Sequence, residues 1–215
     1  MLSISRPSTL PEKELALSTR PAIVAAAIVM FILSVVPTAV AQATTTRALV
    51  VVDVQEDCTG SIVKPPFLFQ SGSDTFIAQL NELITRANAA KVVVVYLRTN
   101  LKMEDGPGAR IDHRLKVVGS NCFLKDSLDA FASSNHSFAD FLQSNQQISE
   151  LDFVGLDATL CVYATAKAAV RRGYRTNVAL DAVTTISGKS RGDLEAMYRT
   201  VGIGVTSQQA LLSAY

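Results

Sequence analysis

Net charge is nearly absent from this chain: 20 Lys and Arg against 19 Asp and Glu leave +1 over 215 residues. That balance gives no electrostatic reason to expect nucleic acid or an acidic surface as partner. Blocks of like charge, low-complexity tracts and internal repeats are also missing, which excludes charged tails and solenoid architectures. Histidine is scarce. His113 stands beside Asp112 and Arg114, and His136 lies in the polar stretch Asn135-His136-Ser137. Neither makes a metal-ligand spacing, so no zinc site and no metal are expected. The longest apolar run, Ala22 to Val36, falls short of the roughly 20 residues that a membrane-spanning helix needs. Cysteine is limited to Cys58, Cys122 and Cys161.

What is present is a 48% hydrophobic composition, enough for one α/β domain with a sizeable core and a short appendage. The appendage is N-terminal. Residues 1–20 are polar and carry Arg6, Lys13 and Arg20; the apolar run follows, Pro37 breaks it, and Ala39-Val40-Ala41-Gln42-Ala43 supplies small residues at cleavage spacing. This is the three-part layout of a secretory signal peptide, so residues 1–43 are expected to export a domain spanning 44–215 to the periplasm or medium. The alternative is an uncleaved anchor through residues 21–36, with no other membrane contact. In an oxidising compartment three cysteines leave one thiol over. A Cys58–Cys122 disulfide would leave Cys161 free, but spacing in the sequence does not decide that pairing.

Along the expected domain, short apolar runs alternate with helical periodicity. Ala48 to Asp53, Lys91 to Leu97, Leu151 to Leu156 and Thr176 to Leu180 read as strands buried on both faces, the last ending at Asp181. Gly202 to Val205 reads as a further strand. Residues 74–90 carry Phe76, Ile77, Leu80, Leu83, Ile84 and Ala87 at helical spacing behind Ser73 as N-cap. Helices are also expected at 138–145 behind Ser137, at 161–172 with Gly173 ending it, and after Ser190, where Asp193 completes a capping box. Residues 98–121 lack periodicity and read as a long functional loop. The alternation predicts a three-layer α/β sandwich with a mainly parallel sheet and helices on both faces. Ligands in such sheets sit at the carboxyl ends of strands, which directs attention to Asp53, the turn after Leu156, and Asp181.

Individually these residues admit bland readings. Asp53 could cap a turn, Cys161 could be a packed apolar thiol, Lys125 could be solvated, and Arg98, Arg110 and Arg114 could face either water or a substrate carboxylate. Cys161 is the most informative, because it opens a helix. Unpaired N–H groups and the helix dipole there stabilise a thiolate, which would lower its pKa.

In combination they resemble the isochorismatase-like cysteine hydrolases. The matching pieces are Asp53-Val54-Gln55 after the first strand, Phe123-Leu124-Lys125 in mid-chain, and the turn from Gly155 to Cys161-Val162. Thr165-Ala166-Lys167-Ala168-Ala169, Gly173-Tyr174 and Asp181-Ala182 follow in order. The resemblance spans roughly Arg47 to Ser207 and implies a Rossmann-like fold. It also implies roles: Cys161 as nucleophile, Asp53 as proton acceptor, and Lys125 as the charge steadying both. It further implies a cis peptide between Leu156 and Asp157, and an oxyanion hole made by the backbone N–H groups of Asp157 and Cys161. The implied reaction is hydrolysis of a C–N bond in a small amide or ureido compound without a cofactor. The implied assembly is a homodimer or homotetramer. Isochorismate-type vinyl-ether hydrolysis is the alternative, disfavoured because that branch lacks the cysteine; a non-catalytic binding protein is a third reading. Nicotinamidase is disfavoured because Thr99-Asn100-Leu101-Lys102-Met103 lacks that branch's metal-binding Asp-x-His pair. Two departures stand out: Cys58 replaces a usual Phe, and Asp157-Ala158 replaces a usual Ala-Thr.

Overall fold

The computed structural model describes residues 46–59, 73–99 and 109–215. The expected export segment, the 60–72 segment and part of the long loop lie outside the described residues. The chain alternates as β1 (Thr46–Val52), α1 (Glu56–Thr59), α2 (Ser73–Ala89), β2 (Val93–Thr99), β3 (Cys122–Lys125), α3 (Ser137–Ser144), β4 (Ile148–Leu156), α4 (Cys161–Arg171), β5 (Arg175–Thr184), α5 (Arg191–Thr200), β6 (Gly204–Thr206) and α6 (Gln208–Ala214). A 3-10 turn, Ala130–Ala132, precedes α3.

All six strands are parallel, in the order β3-β2-β1-β4-β5-β6. The period of two along β1 distributes its side chains between two cores. Ala48, Val50 and Val52 pack with Phe138, Leu142, Val162 and Tyr198 from α3, α4 and α5, whereas Leu49 and Val51 pack with Leu80, Ile84 and Leu211 from α2 and α6. Helices therefore cover both faces, and the expected three-layer sandwich is the observed one. Truncating any of these fully buried leucines would cost about 2–5 kcal/mol.

Strand order reverses between β1 and β4. The chain leaves β1 toward β2 on one side and leaves β4 toward β5 on the other, so a crevice opens beyond the carboxyl ends of the two central strands. Gly155 makes their close approach there. Its φ is +110°, and a Cβ added to it would lie 2.3 Å from the Val52 carbonyl oxygen.

Several expectations shift. Apolar patterning does not mark β3, yet Cys122–Lys125 adds an edge strand beside Tyr96–Thr99. The strand expected to end at Asp181 runs on to Thr184, because the β4–β5 register slips between Phe153 and Gly155 and accommodates extra residues. Asp181 consequently faces no site; its carboxylate accepts from the Gln208 N–H at the start of α6. α3 begins one residue early, with His136 rather than Ser137 at the N-cap and no side-chain cap bond. Ser73 is the first residue of α2, and its hydroxyl accepts from Arg114. The Ser190–Asp193 capping box is present in both halves.

Candidate active site

β1 delivers Asp53 at the crevice. Its N–H bonds the Leu97 carbonyl of β2 at 2.8 Å, and its backbone adopts φ +49°, a left-handed conformation that Asp tolerates better than most residues. Two residues on, the fully buried Gln55 clips β1 to its neighbours: its amide donates to the carbonyls of Thr99 and Ala109 and accepts from the Thr99 N–H. The Asp-x-Gln motif thus places a carboxylate at the crevice and a structural amide behind it.

β3 delivers Lys125. Although it ends an edge strand, it is only 1% exposed, and its Nζ lies 2.9 Å from Asp53 Oδ2, 3.3 Å from Cys161 Sγ and 3.2 Å from the Ser127 carbonyl. Three partners match the three ammonium protons. α4 delivers Cys161, buried, as its first residue; the preceding Leu160 makes no side-chain cap. Asp53, Lys125 and Cys161, 72 and 36 residues apart in sequence, therefore meet in one enclosed cluster. The remaining carboxylate oxygen, Asp53 Oδ1, is buried without a hydrogen-bond partner among the described residues, while the Cys161 thiol interacts with the same carboxylate.

The electrostatics of the thiol differ from the sequence expectation. Burial and the Asp53 carboxylate push the Cys161 thiol up to about 12, outweighing the opposing Lys125 charge. A helix start does not lower this pKa, because the sulfur is buried and a carboxylate stands beside it. Burial likewise raises Asp53, against the pull of Lys125. Lys125 loses stability as a cation through burial, yet the charges of Asp53 and Cys161 reverse that and raise it. The resting cluster thus holds a protonated thiol beside an ammonium–carboxylate pair.

The turn joining β4 to α4 contains a cis Leu156–Asp157 peptide. Among the described residues, no acceptor takes the backbone N–H of Asp157 or of Cys161, while the N–H groups of Ala158, Thr159 and Leu160 are all engaged. Those two free donors belong to the residues flanking the turn.

The remaining sequence candidates lie elsewhere. Cys58 and Cys122 are free thiols, so the structure does not contain the disulfide considered above. Cys122 starts β3, three residues (about 10 Å of strand) before its carboxyl end, whereas Cys58 follows the carboxyl end of β1. Burial and the neighbouring Asp57 and Asp53 charges push the Cys58 thiol up, keeping it protonated. Arg114 is neither solvated nor free for a substrate: its guanidinium forks onto Asp112 and also reaches Asp74 and Ser73. Glu56, Asp112 and His113 place ligand atoms within 4.8 Å of one another. Both Asp112 oxygens, however, are taken by Arg114, with Thr59 adding a hydroxyl to one, and Glu56 Oε1 accepts from the backbone and ring nitrogens of His113. A cation there would compete with the Arg114 guanidinium for Asp112, although Glu56 Oε2 is buried without a partner among the described residues; the hydrogen bonds make the cluster a clamp between α1 and the 109–115 segment. Sequence reading missed this clamp, as well as Tyr198 and Thr185, whose contacts join residues far apart in the chain.

Known proteins share this fold. The family model described as "Isochorismatase domain" matches residues 47–209. Among solved structures, N-carbamoylsarcosine amidase from Thermoplasma acidophilum is 21% identical, covering 76% of this chain and 97% of its own, at TM-score 0.62. An isochorismatase-like hydrolase from Alkaliphilus metalliredigens is 16% identical, covering 79% and 99%, at TM-score 0.65. Pyrazinamidase of Pyrococcus horikoshii, solved in complex with zinc, is 21% identical, covering 75% and 98%, at TM-score 0.60. A search of curated proteins gives no match. With the family model spanning three-quarters of its length and the shared fold over nearly the whole of each neighbour, the chain belongs to the isochorismatase family and is a hydrolase.

Proposed function

We propose that this hydrolase cleaves a C–N bond of a small amide or ureido compound through a covalent acyl-enzyme on Cys161. The observation carrying this reading is the single ammonium of Lys125, placed 2.9 Å from Asp53 and 3.3 Å from the Cys161 sulfur in a largely buried cluster. Two neighbours of the same fold are named as amidases, which favours C–N over vinyl-ether chemistry.

In the proposed reaction Asp53 takes the thiol proton as the sulfur attacks the carbonyl carbon. With the thiol held near 12, proton transfer accompanies attack rather than preceding it. The carbonyl electron pair moves onto oxygen, where the free N–H groups of Asp157 and Cys161 receive it. The pair then re-forms the carbonyl as the C–N bond breaks, and Asp53 returns its proton to the departing nitrogen. Water, activated by the same carboxylate, cleaves the thioester and restores the thiol. Lys125 stays charged throughout, stabilising first the carboxylate and then the developing thiolate.

An ammonia-release screen over small amides and ureides, with the wild type and Cys161→Ala, tests this. Release by the wild type that disappears in the variant is expected; release that survives the substitution removes Cys161 from the mechanism. Export of the domain and self-association into a dimer or tetramer belong to the same proposal. Export rests on the leader's composition and is checked by the mass of the cell-derived protein: a chain beginning near Thr44 supports cleavage, and an intact membrane-bound chain supports the anchor instead. Light scattering on the purified protein checks assembly, and a monomer at micromolar concentration rules it out.

A further inference from the structure

The turn carrying both free N–H donors is held by a side chain that the triad does not use. Asp157 is buried, and its carboxylate is saturated. Oδ1 accepts from the Thr159 N–H at 2.6 Å, the Thr159 hydroxyl at 2.7 Å and the Thr185 hydroxyl at 2.9 Å; Oδ2 accepts from the Ile186 N–H at 2.8 Å. Two of those donors lie inside the turn. The other two lie on the segment following β5, some 29 residues away. A second brace meets the turn through Ala158: its N–H bonds the Thr184 carbonyl at 2.8 Å, and its carbonyl accepts from the fully buried Tyr198 hydroxyl of α5 at 2.6 Å.

This side chain belongs to the same residue as one of the two free N–H donors, and it bonds both within the turn and across to the segment after β5. Every lone pair directed at a donor also fixes the orientation of the peptide that begins at Asp157 itself. We infer that the Asp157 carboxylate, with Tyr198 as its counterpart across the turn, is a positioning device for the oxyanion hole. It holds the Asp157 and Cys161 N–H groups convergent, by tying residues 157–161 to 184–186 and to α5. This rests on the acyl-transfer reading above and assigns that reaction a support of this chain's own, since among the described residues neither side chain hydrogen-bonds the sulfur or Lys125.

The inference separates two chemistries of Cys161. Alkylation by iodoacetamide is a displacement at an sp³ carbon and develops no oxyanion. Addition to propanal forms an S–C bond, sends the carbonyl pair to oxygen and passes the thiol proton to that oxygen, so the hemithioacetal needs the hole. The experiment measures, by mass spectrometry of the Cys161 peptide, the alkylation rate and the propanal concentration that halves it. The proteins are wild type, Asp157→Ala, Asp157→Asn and Tyr198→Phe.

In the wild type, propanal is expected to protect Cys161. Asp157→Ala should need at least about ten times more propanal while alkylating, without aldehyde, within twofold of the wild type. Asp157→Asn, which keeps one acceptor oxygen for the two threonines, should recover part of the loss. Tyr198→Phe removes one hydroxyl with little change of volume and tests the second brace should the Asp157 variants fold poorly. Equal protection in all four proteins overturns the inference, as does a fall in protection that merely tracks a fall in alkylation rate. Absence of protection in the wild type strikes instead at the acyl-transfer reading, and the inference falls with it.

Discussion

At the scale of single residues the site sets two opposite charges against one buried thiol, and the sign of each can be read by removing it. Asp53 raises the Cys161 thiol and Lys125 lowers it. Asp53→Asn removes the raising charge and leaves the ammonium, so the thiol pKa falls. Alkylation of Cys161 at pH 7 should therefore accelerate, while hydrolysis drops by roughly 10²- to 10⁴-fold for want of a proton acceptor. Lys125→Met does the reverse: the thiol climbs further, and both alkylation and hydrolysis slow. Alkylation rates that change in the same direction in the two variants would contradict this assignment of charges. The wild-type pH profile follows the same logic. The proposed reaction needs the ionised carboxylate, and burial raises Asp53 above its ordinary 3.8, so the acid limb should lie above that value. Because the three groups titrate together, that limb reports the cluster rather than Asp53 alone.

At the scale of elements, the central strands were legible and the edge was not. β1, β2 and β4 are continuous apolar runs because both faces are covered, and that pattern needs no partner to be recognised. β3 has four residues, the first of them exposed, and exists only because β2 offers an open edge. Lys125 shows the consequence: in sequence it is an ordinary surface lysine, and only pairing beside Thr99 carries it into the interior. The strand-end rule points to Asp53 and to the turn before Cys161, which the fold brings together, whereas Asp181 lies inside β5, since a register slip inside a strand leaves no mark in composition. Gly155 ties element geometry to chemistry. A methyl there would meet the Val52 carbonyl at 2.3 Å, one residue before Asp53, on a backbone at φ +110° that side chains avoid. Gly155→Ala is expected to destabilise the fold by about 3 kcal/mol or more and to separate β1 from β4 at the crevice. Denaturant unfolding measures the first, and Cys161 alkylation at low denaturant the second. A loss of less than about 1 kcal/mol would mean that the two strands can part without consequence.

At the scale of the molecule, the crevice depends on connections that cross the sheet ends, and the clamp at Asp112 is the most charged of them. Asp112 is 1% exposed and joins the 109–115 segment to α1 through Thr59 and to α2 through Arg114, which also pairs with Asp74. Beneath it, Gln55 holds the start of the same segment through the Ala109 carbonyl. Burial alone would raise the Asp112 carboxyl, but hydrogen bonds from Arg114 and Thr59 hold it down at about 2. A depressed carboxyl stabilises the fold above its unfolded value, near 3.8, and that stabilisation is lost as pH falls through about 2. The difference corresponds to on the order of 2 kcal/mol. Asp112→Asn should therefore lower the thermal midpoint by about 4–8 °C at pH 7 and flatten the decline in stability between pH 4 and pH 2. A variant as stable as the wild type at pH 7, yet equally sensitive to acid, would show that other carboxylates govern acid unfolding. Asp112 is distant from the sulfur in the hydrogen-bond network, so alkylation of Cys161 in the folded variant should keep its wild-type rate. An altered rate would mean instead that the clamp reaches the Asp53 end of β1 through Gln55, and that the segment over the site and the triad beneath it move as one unit.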